Sequence, residues 1–390
     1  MLPYGRQDIT QADIDAVVEV LRSDFLTQGA AVTNFESRVA SRVNAAYAVA
    51  SNSATSALHI ACLALNVGTG DLLWTVPNTF VASANCGRYC GADVDFVDID
   101  LETGNMSVAG LRDKLAQAKR AGRLPKVVVP VHFAGQPTEQ DVIWSLAQEY
   151  GFRVIEDASH AIGASRNGEP VGSCRWSDIT VFSFHPVKII TTAEGGMSLT
   201  NDAALAERMA MFRSHGITRN ERLFRENPAD AEDTKAPAWY YEQQMLGYNY
   251  RITDLQAALG VSQLDRLDQY VERRNLLAQR YDAALAPLPI ERLRVLPGHV
   301  SAFHLYVIRV TPASGTTRRK LFDALRDRRL GVNVHYMPVH LQPYYRDLGF
   351  MEGQYPAAEA HGASAITLPL YPAMTDEQQD SIVRTLKELL

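Results

Sequence analysis

The sequence predicts an α/β protein: a mainly parallel central sheet covered on both faces by helices, followed by a smaller C-terminal α+β domain. Three observations lead there. Short β-branched or apolar runs alternate with segments of helical period along the first half of the chain, the pattern of strands buried on both faces. The 390 residues exceed what one core comfortably organises, so a large domain over 1–250 and a linking helix with a small domain over 251–390 are expected. The composition, 46% hydrophobic and 21% charged, is that of globular material rather than of a disordered chain.

The elements follow in order. Ile14, Val17, Val18 and Leu21 recur at helical spacing within Asp13 to Arg22, behind the capping residue Thr10. Phe35 to Val43 predicts a second, short helix. Tyr47 to Ala50 reads as a buried strand, and Ser56 to Leu65, apolar on nearly all sides, as a core helix. Strands are predicted over Asp71–Val76, Val94–Asp98, Lys126–Val131, Phe152–Ile155 and Ile179–Phe184, with helices over Leu111–Ala121 and Glu139–Tyr150. Phe224 to Ala238, polar and proline-containing, predicts a mobile surface loop. After Asp254, the spacing of Leu264, Leu267, Val271, Ala278 and Leu285 predicts one long linking helix. Strands at His304–Val310 and Val332–His335 and helices at Arg318–Arg329 and Asp376–Leu389 follow.

Composition narrows the function. A formal net charge of -6 argues against nucleic acid as a partner. The four cysteines contain no CxxC pair, so reduced thiols are expected rather than a disulfide scaffold or a metal site. Met1 to Asp8 lacks a signal-peptide core, and no apolar run approaches the roughly 20 residues of a membrane span. A cytoplasmic protein without membrane contact is the expectation.

Ser53, Asp157 and Lys188 each follow a predicted strand, which places them where α/β sheets bind ligands. Lys188 lies between Val187 and Ile189-Ile190, ahead of Glu194-Gly195-Gly196. Partial burial there lowers its pKa and frees the amine for imine exchange. Asp157, in Glu156-Asp157-Ala158-Ser159-His160, suits a cationic ring nitrogen. A lysine for the covalent link and proton transfer, with an acid under the ring, is what pyridoxal 5'-phosphate (PLP) requires. Ser53-Ala54-Thr55 at a helix head suits a phosphate, with Ser183 nearby; Ser53 equally suits a plain helix cap. Phe80 can stack on a flat ring. His160 can bond Asp157 or the cofactor's phenolic oxygen, or be a structural histidine.

Four motifs stand in order over nearly the whole chain: Glu156-Asp157-Ala158-Ser159-His160-Ala161, Ser183-Phe184-His185-Pro186-x-Lys188, Glu194-Gly195-Gly196 and Gly247-Tyr248-Asn249-Tyr250-Arg251. Together they resemble the signatures of the DegT/DnrJ/EryC1/StrS sugar aminotransferases. The resemblance implies the PLP-dependent transferase fold type I and a homodimer with active sites at the subunit interface. It also implies amino transfer from an amino acid, usually L-glutamate, to a nucleotide-linked keto sugar. It makes Lys188 the PLP lysine, Asp157 the pyridine partner and Phe80 the stacking ring. Ala54, Thr55 and Ser183 become phosphate ligands, and Asn249 a contact to the phosphate in the other subunit.

Within that family, Pro3–Asp8, Phe25–Gly29, Ser214–Arg219 and Val334–His340 are similar to the branch that makes pseudaminic acid. That branch aminates C4 of UDP-2-acetamido-2,6-dideoxy-β-L-arabino-hex-4-ulose, giving UDP-4-amino-4,6-dideoxy-N-acetyl-β-L-altrosamine. The likeness implies sugar contacts from Tyr4, Leu26, Thr27, Gln28, Gly29, Val334, His335, Tyr336 and Met337. Ser53, Ser183, His185 and Asn249 would stand on the same side. Arg219 or Arg251 could pair with a diphosphate or with the glutamate carboxylate. The 224–238 segment looks longer than in the family generally. Three alternatives stay open: another nucleotide-sugar 3- or 4-aminotransferase, a PLP sugar dehydratase, and a non-catalytic PLP-binding regulator. The dehydratases carry histidine where Lys188 stands, and a regulator has no need of both Lys188 and Asp157.

Overall fold

The computed structural model describes residues 1–226 and 236–390; most of the 224–238 loop expectation therefore lies outside the described residues. Seven strands form the central sheet: β1 (Tyr47–Ser51), β2 (Leu72–Thr75), β3 (Asp93–Phe96), β4 (Val127–Val128), β5 (Arg153–Asp157), β6 (Ile179–Ser183) and β7 (Gly196–Thr200), in the order β1-β7-β6-β5-β4-β2-β3. Adjacent strands from β6 to β3 pair in parallel, while β7 runs antiparallel to both β6 and β1. The sheet is thus mainly parallel, as expected, with one reversed strand that the sequence reading did not identify. The reversal follows from the short link between β6 and β7. A parallel return would need a crossover helix, and residues 184–195 contain none.

Alternate side chains of each strand point to opposite faces. Leu73, Val127, Ile155, Ile179 and Val181 meet α3 (Ala54–Ala64), α4 (Ala82–Tyr89) and α7 (Ala203–Arg213). The opposite face carries two clusters. Trp74, Val128 and Val154 pack on α5 (Val108–Arg120) and α6 (Gln140–Tyr150). Phe182, Met197 and Leu199 pack on α2 (Ala30–Val43) and α8 (Asp254–Leu264). Helix α1 (Gln11–Leu21) starts behind Thr10, whose N–H donates to Asp13 at 2.8 Å. Helix α2 begins five residues earlier than expected. Helix α4 was not anticipated, because its buried face is made of Ala82, Ala84 and Cys86 rather than large apolar groups.

The long linking helix expected after Asp254 is two helices, α8 and α9 (Leu267–Leu285). Arg266 leaves helical geometry at the joint; its guanidinium bonds Asp13 at 2.6 Å and the Tyr270 hydroxyl at 2.8 Å. The start of α9 contributes Leu267 and Val271 to the large core, and its end contributes Leu277, Tyr281 and Leu285 to the small-domain core. Between them Arg274 is fully buried, donating to the carbonyls of Phe303 (3.1 Å), His304 (3.4 Å) and Leu370 (3.0 Å). Burial pushes its pKa down to about 10.

The small domain holds the antiparallel sheet β8 (Ile290–Arg292), β9 (Tyr306–Val310) and β10 (Ala365–Leu368), with α10 (Arg318–Asp327), α11 (Pro343–Arg346), α12 (Pro356–Ser364) and α13 (Asp376–Leu389). The predicted strand Val332–His335 is not one. Only Asn333 pairs, with Thr367. Side chains take over the neighbouring backbone: Val334 N–H donates to Asn333 Oδ1 (2.9 Å) and Tyr336 N–H to Asn78 Oδ1 (3.2 Å). The chain start crosses to this domain: Gly331 N–H donates to the Leu2 carbonyl (2.6 Å), and Leu370 N–H to that of Tyr4 (3.0 Å).

Arg274→Ala should lower unfolding stability by about 3 kcal/mol, since it removes packing and strands three buried carbonyls. Urea unfolding checks this; a change within error would mean that the carbonyls are satisfied without the guanidinium.

Candidate active site

A cavity of about 440 Å³ opens at the carboxyl ends of β5 and β6. The large domain supplies the heads of α3 and α4 and the loop after β6, and the small domain supplies His304 and Asn333 to Tyr336. Tyr4 closes it from the chain start.

Asp157 is the last residue of β5 rather than a residue beyond it. It is buried, its Oδ2 accepting from Ser83 Oγ at 2.6 Å and its Oδ1 from Ser159 N–H at 3.1 Å. The carboxylate is thereby aimed by a helix and a turn at once. Lys188 is anchored by its neighbours: Ile189 and Ile190 are buried in the core with Phe184, and Lys188 N–H donates to the His185 carbonyl at 2.9 Å. The side chain is partly exposed along its length, with its amine end inside the protein. Burial pushes its pKa down to about 8, against the opposing pull of Asp157.

Ser53 caps α3, its Oγ accepting from Ser56 N–H at 3.1 Å. Ala54 and Thr55, both lining the cavity, are left with amides that have no intrahelical acceptor. Gly196 makes this close approach feasible. It pairs with Ser51 on one side and Ser183 on the other, and a Cβ there would come 2.5 Å from the Ala54 nitrogen. Ser183 ends β6 beside the helix head.

His160 is buried and meets Tyr336, Nε2 to hydroxyl 3.2 Å, with the rings nearly parallel. It therefore does not bond Asp157, one of the partners the sequence allowed, because that carboxylate is already held by Ser83 and Ser159. His304 lies 4.4 Å away, ring to ring, and His335 bonds Thr367 Oγ1 at 2.8 Å. Burial, reinforced by Lys188, drives the pKa of His160 and His304 well below the usual value and that of His335 down to about 3. Three neutral imidazoles thus line the cavity that holds the amine. Burial and Asp157 raise the Tyr336 hydroxyl, so it stays protonated.

Thirteen expected residues line this one cavity: Tyr4, Ser53, Ala54, Thr55, Phe80, Asp157, His160, Ser183, His185, Lys188, Val334, His335 and Tyr336. Seven do not: Leu26, Thr27, Gln28, Gly29, Arg219, Asn249 and Met337. Thr27 pairs with Thr253, Gly29 N–H donates to Asp254 at 2.8 Å, and Asn249 pairs with Ser214. Arg219, Asn249 and Met337 are exposed. The sequence reading missed Ser83, His304 and Asn333. Ser83 lies on the unanticipated α4, and the other two approach only through the small domain.

The residues fit PLP. The free amides of Ala54 and Thr55 with Ser183 suit its phosphate, Lys188 its aldehyde, Asp157 its ring nitrogen and Phe80, 58% exposed at the cavity wall, its ring face. Among the described residues no group of three or more His, Cys, Asp or Glu is arranged to hold a metal ion, and no helix is long and apolar enough to cross a membrane.

The chain is 30% identical, with a TM-score of 0.88 over 100% of its length and 98% of the other, to Helicobacter pylori PseC, an aminotransferase involved in the biosynthesis of pseudoaminic acid. It is likewise 30% identical, TM-score 0.89, to the putative sugar aminotransferase Spr1654 from Streptococcus pneumoniae in its PMP form, covering 100% and 99% of the two chains. It is 37% identical to the Bacillus subtilis spore coat polysaccharide biosynthesis protein SpsC over 100% of this chain and 97% of that protein. The model of the DegT/DnrJ/EryC1/StrS aminotransferase family matches residues 7–387. With that match laid over a cavity that unites Lys188 and Asp157, the chain belongs to the DegT/DnrJ/EryC1/StrS family and is a PLP-dependent sugar aminotransferase.

Proposed function

We propose that the enzyme transfers an amino group from L-glutamate to C4 of UDP-2-acetamido-2,6-dideoxy-β-L-arabino-hex-4-ulose, in the cytoplasm, as a step of pseudaminic acid biosynthesis. The observation that carries the reading is the meeting of the Lys188 amine and the Asp157 carboxylate in one cavity. The choice of sugar is supported by the whole-chain likeness to PseC and by the motifs at Pro3–Asp8, Phe25–Gly29, Ser214–Arg219 and Val334–His340.

Bound PLP supplies an aldehyde for amine exchange and an electron sink. Lys188 Nζ, its pKa drawn down to about 8 so that an uncharged fraction is present near neutral pH, removes the proton from the donor's α-carbon and later delivers one to C4 of the sugar. Asp157 keeps the ring nitrogen protonated, and Ser83 keeps Asp157 in place. The neutral His160 and Tyr336 offer hydrogen bonds to the oxygens of ligands without adding charge. Ala54, Thr55 and Ser183 hold the phosphate.

A homodimer with shared sites accounts for the seven expected residues outside the cavity. Asn249 would reach the phosphate in the other subunit. The segment 26–29, Arg219 and Met337 would complete the substrate site. Large apolar side chains at Phe25, Leu26, Trp239, Tyr241 and Leu246 are exposed on the same stretches, as a surface made to be covered by a second copy would require.

Product NMR after incubation with glutamate and UDP-linked 4-keto sugars of both configurations should show an amine at C4 of the L-arabino sugar; an amine at C3, or preference for the D-sugar, would refute the assignment. Lys188→Ala should abolish the visible band of the bound cofactor and lower turnover by roughly 10³-fold or more; near-normal turnover removes the lysine from the chemistry. Because only the uncharged amine reacts, the rate of PLP capture by the apoprotein should rise with pH to about 8 and level off above it. Stopped-flow mixing measures this, and a rate flat across that range contradicts it. Mixing inactive Lys188→Ala and Asn249→Ala chains should restore about one quarter of wild-type activity, since each hybrid keeps one site with both groups. No recovery, once exchange of subunits is verified, would rule out sharing through Asn249.

A further inference from the structure

We propose that Thr79 is a positioning residue for the amino transfer: through Ser83 it fixes the charge and the aim of the Asp157 carboxylate towards the ring nitrogen of bound PLP. The inference rests on the reading of Asp157 as the partner of that nitrogen. Thr79 lies on the loop after β2, and Ser83 in the first turn of α4. Their hydroxyl oxygens are 2.7 Å apart, and Ser83 Oγ is 2.6 Å from Asp157 Oδ2. Thr79 and Ser83 are both buried, so bulk water does not compete for either contact.

The direction of this relay follows from the hydrogens available. An ionised carboxylate only accepts, so the single hydroxyl proton of Ser83 goes to Asp157. The Ser83 oxygen is then an acceptor, and Thr79 is the donor that fills it. The other acceptor within reach of Ser83, the Phe80 carbonyl, is farther away at 3.4 Å. Each bond polarises the next, so the Thr79 hydroxyl strengthens the bond made to the carboxylate. The second oxygen of Asp157 is served by the Ser159 amide, again a neutral donor. Neutral donors favour the anion over the acid without placing a second cation beside it. A carboxylate held in this way keeps its charge for a protonated ring.

The local backbone brings the two hydroxyls together. Thr79 N–H donates to the Pro77 carbonyl (3.1 Å) and Ser83 N–H to that of Phe80 (3.2 Å). Phe80, between them in sequence, stands at the cavity wall. One turn thus supplies both a wall for the ring and the support of its nitrogen partner. Without the bond from Ser83 the carboxylate holds a proton more tightly, and the proton shared with the ring nitrogen moves towards Asp157. Less positive charge then remains on the ring to draw electrons from the reacting carbon.

The test is NMR of the enzyme loaded with PLP isotopically labelled at the ring nitrogen, together with stopped-flow timing of the reaction with glutamate alone, which does not depend on the identity of the sugar. Ser83→Ala should move the nitrogen resonance towards that of an unprotonated pyridine and slow the reaction with glutamate about tenfold to a hundredfold, the worth of one hydrogen bond to a charged group. Thr79→Val, which keeps the shape and removes the hydroxyl, should move the resonance the same way by less and slow the reaction about fivefold. Thr79→Ser, which keeps the hydroxyl, should restore both. Asp157→Asn sets the limit of the resonance shift. A shift in Asp157→Asn with none in Ser83→Ala and Thr79→Val would overturn the relay and leave the reading of Asp157 standing. No shift even in Asp157→Asn would overturn that reading and the relay with it. Equal behaviour of Thr79→Ser and Thr79→Val would trace the effect to packing and overturn the role of the hydroxyl.

Discussion

Ser183 and Gly196 face one another across β6 and β7, and the loop between them carries Lys188. Fixing both ends of that loop in one ladder removes most of its freedom before any ligand arrives. Inside it, Phe184 N–H donates to the Gly195 carbonyl (2.9 Å), and Thr192 N–H to that of Phe184 (3.0 Å). Ile189 and Ile190 then bury themselves under the sheet. An amine at a free loop tip would turn to water; here the apolar neighbours decide where it points, and the energy of burying them outweighs the cost of drying the lysine. The same ladder places Gly196 against the head of α3, so the lysine, the helix amides and the β5 carboxylate share one framework.

The electrostatic character of the cavity follows from that lysine. An ammonium among three imidazoles would compete with them for protons, and burial disfavours charge on all four groups. Neutral rings result at His160, His304 and His335. Among the described residues no arginine lines the cavity. A substrate bearing a diphosphate must find its positive charge beyond these walls. Directional hydrogen bonds, rather than strong fields, are left to select the sugar inside.

Much of this was legible in the sequence, for identifiable reasons. The Asp157 and Lys188 segments announce themselves because polar chemistry is embedded in apolar runs, and Asp376–Leu389 was read to the residue because capping and helical period agree there. Helix α4 escaped because small residues bury a face without forming a visible stripe, and with it went Ser83. The joint at Asp265–Arg266 is invisible to periodicity, since Leu264 and Leu267 stay in phase; the break depends on Asp13, far away in the chain. Val332–His335 has the composition of a strand, but side-chain acceptors replaced its ladder.

Tyr4 stands near the beginning of the chain yet belongs mechanically to the small domain, joined to Leu370 as Leu2 is to Gly331. The upper wall of the cavity, Tyr4 with His335 and Tyr336, is therefore assembled from segments far apart in the chain, and Tyr336 ties it to the large domain through Asn78 and His160. The room above Lys188 and Asp157 is thus set by contacts that include neither residue, so the fit to the sugar and the constancy of the reaction centre are governed by different parts of the molecule.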